Sequence, residues 1–225
     1  MIIFKKLIFA VFSLIFLFSN NLFAKNNLKI MTENWPPLNY VKDGILIGPA
    51  VEIVQAIQNK INDKNEILVF PWKRAYNYTL TNKNNVLFSM ARSEKRENLF
   101  KWIGPIAEKR YSFFAKKDFN FKINSLDDAR KFTIGVQRGA HSEEFLTEEG
   151  FKDLQKANTG IQYIQMLFKN RFDLMLDSYS TVTKMVKDLG MNKNDLKEVF
   201  VVKKTLLYIA INKETDDNIV LQWQR

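Results

Sequence analysis

The chain has 225 residues, room for one or two compact domains, and carries 34 Lys+Arg against 24 Asp+Glu for a formal charge of +10. Hydrophobic residues make up 46% and charged residues 26%, a balance that supports a packed core and excludes wholesale disorder. The sequence has no Cys, which excludes thiolate catalysis, disulfides, Cys-zinc sites and a Cys-anchored lipid; its single histidine, His141, excludes a multi-His metal cluster within one chain.

Residues 1–24 read as a secretory signal. Lys5 and Lys6 precede the apolar run Leu7–Phe18, broken only by Ser13, and Leu22-Phe23-Ala24 ends on a small residue. The apolar run falls short of the roughly 20 residues that span a bilayer, so cleavage after Ala24 is expected rather than anchoring. Cleavage removes two lysines and no acid, which lowers the charge from +10 to +8. No later segment is long and apolar enough to cross a membrane, so the mature chain is expected to be exported, soluble and periplasmic. The lysines are scattered among Asn, Asp and Glu with no aromatic-basic motif, which points to a solvated basic surface and not to nucleic acid.

Along the mature chain, Leu28–Thr32 is a strand candidate and the two prolines of Asn34–Tyr40 forbid regular structure. Lys42-Asp43-Gly44 is a turn. Pro49–Asn62 reads as a helix with Ala50, Ile53, Val54, Ile57 and Ile61 as its apolar stripe. Glu66–Phe70 is a strand, Pro71–Leu80 a helix, and Val86–Met90 and Tyr111–Ala115 are strands. Ser125-Leu-Asp-Asp128 opens a helix in the manner of a capping box. Phe132–Val136 is a strand, followed by a helix at about 142–149. Thr159 caps a helix reaching about Asn170, lined by Ile161, Ile164, Leu167 and Phe168. Phe172–Leu176 is a strand and Thr181–Leu189 a helix. Glu198–Val202 and Leu206–Ile211 are two more strands. Asp216 or Asp217 caps a last helix, inside which the chain stops at Arg225.

Strands alternating with helices predict an α/β fold with mostly parallel sheets, in which ligands bind beyond the carboxyl ends of strands. The loops after the strands read TENWPP, FPWKRAY, FSMARSEKR, VQRGAHS and MLDSYS. They carry Trp35, Trp72, Arg74, Arg92, Arg96, Arg138 and Asp177, and Glu33 and Ser89 join them as candidate ligand contacts. Arginines and aromatics in this setting suit a small anionic or zwitterionic ligand. No G-x-S-x-G elbow, P-loop, G-x-G-x-x-G or metal-ligand spacing is present, so no catalytic residue, metal or cofactor is expected.

Five segments in order carry a family resemblance: ENWPPLNY with GILIGPAVEI, PWKRAY, FSMARSEKRENLFKWIGPI, SLDDARKFTIGVQRGA and NRFDLMLD. Together they resemble the bacterial extracellular solute-binding proteins of family 3, of the type II periplasmic binding fold. The resemblance implies two lobes, each a mostly parallel sheet flanked by helices, with the ligand cleft between them. Lobe one would be 25–109 with 202–225 returning to it, and lobe two 110–201. It also implies a binding protein and not an enzyme, a monomer that delivers an amino acid or related small acid to an inner-membrane ABC permease. Residue by residue, Arg96 matches the family's carboxylate-gripping Arg, with Arg92 either a second basic contact or a residue pointing to solvent. Trp35 matches the stacking aromatic, and Trp72 offers the opposite wall. Asp177 falls at the amine-binding acid, with Ser178 as the alternative register and a helix cap as Asp177's plain structural reading. Ala140 and His141 fall where the family places a small hydroxyl residue at a helix N-terminus; as the only His, His141 reads as a surface residue beside that cap. The plain structural reading of Arg96 is a surface residue pairing with Glu94 or Glu97. Two departures stand out: Pro49-Ala-Val-Glu52 replaces the family's Asp-x-Asp, and the family continues through two further helices, so a C-terminally truncated chain is expected. A ligand-sensing module of the same fold without a transport role is the alternative, and a periplasmic hydrolase a more distant one.

Overall fold

The computed structural model describes residues 27–225; the signal reading of 1–24 lies outside them. In chain order the elements are β1 (Lys29–Thr32), β2 (Tyr40–Lys42), β3 (Ile45–Ile47), α1 (Pro49–Lys60), β4 (Ile67–Val69), α2 (Trp72–Thr81), β5 (Asn85–Ala91), α3 (Glu94–Glu97) and β6 (Phe100–Lys116). There follow α4 (Leu126–Ala129), β7 (Ile134–Gln137), α5 (His141–Glu148), β8 (Leu154–Ala157), α6 (Gly160–Phe168), β9 (Leu174–Asp177), α7 (Tyr179–Asp188), β10 (Leu196–Asn212) and α8 (Asp217–Gln224).

One eight-stranded sheet runs β4-β1-β5-β10-β6-β9-β7-β8, and β2 pairs with β3 apart from it. At one end β1 lies parallel to β4 and β5; at the other β7 lies parallel to β8 and β9. Between these groups β6 and β10, 17 residues each, pair antiparallel from Phe100 opposite Asn212 to Lys116 opposite Leu196. The expected Tyr111–Ala115 strand is therefore the far end of a longer one, and the two expected C-terminal strands are continuous. The polar Lys203-Lys204-Thr205 that suggested a break is tolerated because this stretch of the ribbon is partly exposed and is bulged between Val201 and Lys203.

The sheet is covered on both faces at each end, which accounts for unalternating apolar strands such as β5, buried at all seven positions. At the β1–β5 end, Ile30, Val54, Val86, Phe88 and Ile211 pack with Trp223 of α8 on one face; Met31, Trp72, Leu87, Met90 and Phe100 pack on the other. At the β7–β9 end the two layers centre on Phe113, Ile134, Leu146 and Leu176, and on Phe114, Tyr163, Ile164 and Val186.

The caps are local and follow the sequence. Ser125 accepts the Asp128 N–H, Thr159 the Gln162 N–H, and Asp216 the Asn218 N–H. Ser178 accepts the Thr181 N–H, so the cap before α7 is Ser178 and Asp177 is left for other work. Two predicted stripes are rotated. Val51 is buried in α1 where Ile53 was expected, and Tyr163 in α6 where Ile161 was expected; Ile53 and Ile161 are exposed. Periodicity locates an apolar face to within one residue's rotation, and packing chooses among its members.

Candidate functional site

The segments that follow the carboxyl ends of β1, β4, β5, β7 and β9 converge on the β6–β10 ribbon around a narrow cleft. Glu33, Trp35, Trp72, Ser89, Arg96, Ala140, His141 and Asp177 line it, joined by Lys109, Tyr111, Gln137 and Ser142. Eight of the sequence candidates thus meet in one place; Arg74 and Arg138 line a neighbouring groove instead, and Arg92 joins neither. It is half-exposed, pairs with Glu97 through both Nε and Nη2, and lies over the Trp102 and Tyr208 rings, because the side chain leaves β5 toward the surface.

Arg96 sits in the short helix α3 and is 3% exposed, which corrects the surface reading. Its neighbour is neither Glu94 nor Glu97 but Glu144 of α5, with Arg96 Nε 2.8 Å from Glu144 Oε2. The pair is close yet poorly aligned, since neither atom completes a hydrogen bond. The guanidinium also reaches the Ala91 and Gly139 carbonyls at 3.5 and 3.4 Å and lies over the Trp72 and Tyr76 rings. Trp72 Nε1 donates to the same Gly139 carbonyl at 2.6 Å.

On the opposite wall the Lys109 ammonium is 2.6 Å from Asp177 Oδ1, 3.3 Å from the centre of the Trp35 ring and 4.6 Å from that of Tyr111. Asp177 Oδ1 also accepts the Ser178 N–H. Burial pushes the Lys109 ammonium below its usual value, against the pull of Asp177 and Glu33, and pushes the Tyr111 phenol up. Glu33 accepts from Gln137 Nε2 at 2.7 Å, a bond between β7 and the loop after β1. Burial raises its carboxyl to about 7. Ser89 holds a left-handed backbone (φ 63°) and donates to Asn39 Oδ1, whose amide donates to the Glu33 carbonyl. This chain of bonds fixes the loop that presents Glu33 and Trp35.

Ala140 is the N-cap residue of α5 and offers no side-chain cap. His141 is buried, not at the surface as expected; it lies edge-on to Tyr111, and burial holds its imidazole below the usual value. The sequence reading missed Lys109, Tyr111 and Gln137. The signal was present for two of them: Lys109 and Tyr111 are buried on either side of exposed Arg110, so a strand extended back to Lys109 places it on the face of Tyr111. Among the described residues, no group of His and acidic side chains is arranged to hold a metal ion.

The family described as bacterial extracellular solute-binding proteins, family 3, matches residues 28–223. No curated protein is matched in sequence. Among solved structures, a histidine kinase sensor domain with similarity to periplasmic binding proteins superposes with a TM-score of 0.79 at 19% identity, covering 88% of this chain and 87% of that one. An ancestral arginine-binding protein bound to arginine gives 0.76 at 22%, covering 88% of each chain. Holo ArgBP from T. maritima gives 0.74 at 19%, covering 87% and 86%. At these identities the likeness is one of fold.

Proposed function

This chain belongs to the bacterial extracellular solute-binding proteins of family 3, and on that footing we propose that it is a periplasmic binding protein that captures a small polar solute, an amino acid or a related carboxylate. In this reading it acts as a monomer and passes the solute to an inner-membrane ABC permease. Residues 25–109 with 202–225 form one lobe and 110–201 the other, with β6 and β10 as the two crossings. Closure of the lobes over solute is the signal to the permease. Family and structural neighbours are binding or sensing proteins and not enzymes. Among the described residues no helix is long and apolar enough to cross a membrane.

The observation that carries the reading is Arg96. A guanidinium 3% exposed at the meeting of two sheet ends, against two aromatic rings, has the geometry for a carboxylate held in a dry site. The test is thermal unfolding against amino acids, organic acids and sugars. Ligand at 100 times its dissociation constant adds about 2.7 kcal/mol, a shift of several degrees for a chain of this size. The expected result is a shift with a carboxylate that Arg96→Ala abolishes while its own unfolding stays cooperative. An unchanged affinity in Arg96→Ala removes Arg96 from the site, and a cooperative transition that no compound shifts removes the small-acid reading.

The sensor-domain neighbour supports a second reading, a ligand-sensing module without transport. Stimulation of the permease's ATPase by liganded protein favours transport, and its absence favours sensing.

A further inference from the structure

On the roles that the family resemblance gives Asp177 and Arg96, Lys109 and Glu144 already make, within the chain, the contacts that the ammonium and carboxylate of an α-amino acid would make in this cleft. They are not held alike. Lys109 is rooted in the β6–β10 ladder opposite Thr205, its side chain is 3% exposed, and its ammonium rests on Asp177 and two aromatic rings. Moving it away leaves the Asp177 carboxylate buried without a cation. Glu144 stands in the first turn of α5 with its side chain 10% exposed. Its Oε2 is misaligned with Arg96, and its Oε1 meets Ser93 Oγ at only 3.5 Å. An incoming carboxylate can take its place on Arg96 when Glu144, which also lies 3.9 Å from His141 Nδ1, turns outward from the first turn of α5.

We propose that Lys109 fills the ammonium seat of the cleft, and that this protein takes a small carboxylate bearing no α-ammonium group, which replaces Glu144 on Arg96. The proposal rests on the binding-protein reading and narrows its solute class. A second ammonium would meet Lys109 as a like charge at a ring face already in use. Glu33, the other acid of the cleft, is held by Gln137 and lies within the field of Lys109, so an ammonium brought to it meets the same repulsion. A neighbouring groove favours an anion as well. It is lined by Lys73 and Arg74 from the first turn of α2 and by Arg138, the residue before Gly139. The hydrogen-bond partners of its two arginines are neutral, the Tyr78 hydroxyl for Arg74 and the Asn158 amide oxygen for Arg138. Such a cluster raises the local concentration of anions near the entrance.

The test is calorimetric titration with matched pairs of acids: glutarate against L-glutamate, valerate against L-norvaline, and 5-guanidinovalerate against L-arginine. The expected result is that a desamino acid binds the wild-type protein about tenfold or more tightly than its α-amino partner, each tenfold corresponding to about 1.4 kcal/mol. Lys109→Met, which exposes Asp177 to a ligand ammonium, is expected to narrow or invert that ratio. An α-amino acid that binds the wild type as tightly as its desamino partner overturns the proposal and leaves the binding-protein reading standing. No binding by either series brings down both. The wild-type ratio decides by itself if Lys109→Met does not fold.

Discussion

Burial lifts the Glu33 carboxyl from its ordinary 4.5 to about 7; Gln137 and Lys109 oppose the rise and Asp177 adds to it. The folded state therefore binds this proton more tightly than the unfolded chain does. The stabilisation is complete below about 4.5 and is lost as pH rises through about 7. Wild-type melting temperature is expected to carry a falling component between those values, and Glu33→Gln to flatten it and to melt several degrees higher at pH 8, consistent with a few kcal/mol. Parallel melting curves for the two proteins across that range would refute the role of Glu33. At this scale the sequence was legible at strand ends: Asp177 closes β9, Trp35, Trp72 and Arg96 follow β1, β4 and β5, and all four reach the cleft. Arg92, four residues from Arg96, is indistinguishable from it in type and loop, and only the direction of its side chain sends it to Glu97. Lys109 lies between Glu108 and Arg110, a setting that reads as solvated until its strand is extended and packed.

At the scale of elements, α6 is fastened to the sheet by one hydroxyl. Tyr163 Oη accepts the Leu176 N–H of β9 at 2.8 Å and donates toward the Gly135 carbonyl of β7 at 3.0 Å. Tyr163→Phe leaves a buried N–H without its partner, at an expected cost of about 1–3 kcal/mol in denaturant unfolding with unchanged solute affinity. A stability equal to wild type would show that this tie contributes nothing net. Gly135 is required beside it, since a Cβ there would meet the Phe172 ring at 2.3 Å. Helix starts were the most legible elements because a cap is a contact between residues two or three apart: Ser125 and Thr159 cap as read, and of Asp216 and Asp217 it is Asp216 that caps. The β2–β3 hairpin, β8 and the inner half of β6 were not legible. β2 and β3 are three residues each, and the exposed centre of β6 lacks an apolar run.

At the scale of the molecule, the two sheet ends are bridged directly across the cleft. Trp72 Nε1 bonds the Gly139 carbonyl, Gln137 bonds Glu33, and Arg96 meets Glu144. Each bridge joins residues at least 48 positions apart. Trp72→Phe keeps the aromatic wall and removes one bridge. Solution scattering is expected to give a larger radius of gyration for that variant than for wild type, with weaker binding of any carboxylate ligand. An unchanged radius would mean that the Trp72–Gly139 bond does not hold the ends together.

The sequence by itself determined the α/β rhythm, the helix caps, the post-strand loops that carry the cleft residues, and the family. These depend on local periodicity, on contacts a few residues apart, and on motif order. Only the tertiary structure decided that β6 and β10 run unbroken through the sheet, that Lys109 faces Asp177 over Trp35, and that Arg96 meets Glu144. Those pairings join charges 68 and 48 positions apart (Lys109 to Asp177, Arg96 to Glu144). Which buried charge meets which is set by the register and face of distant strands, and no local pattern encodes that.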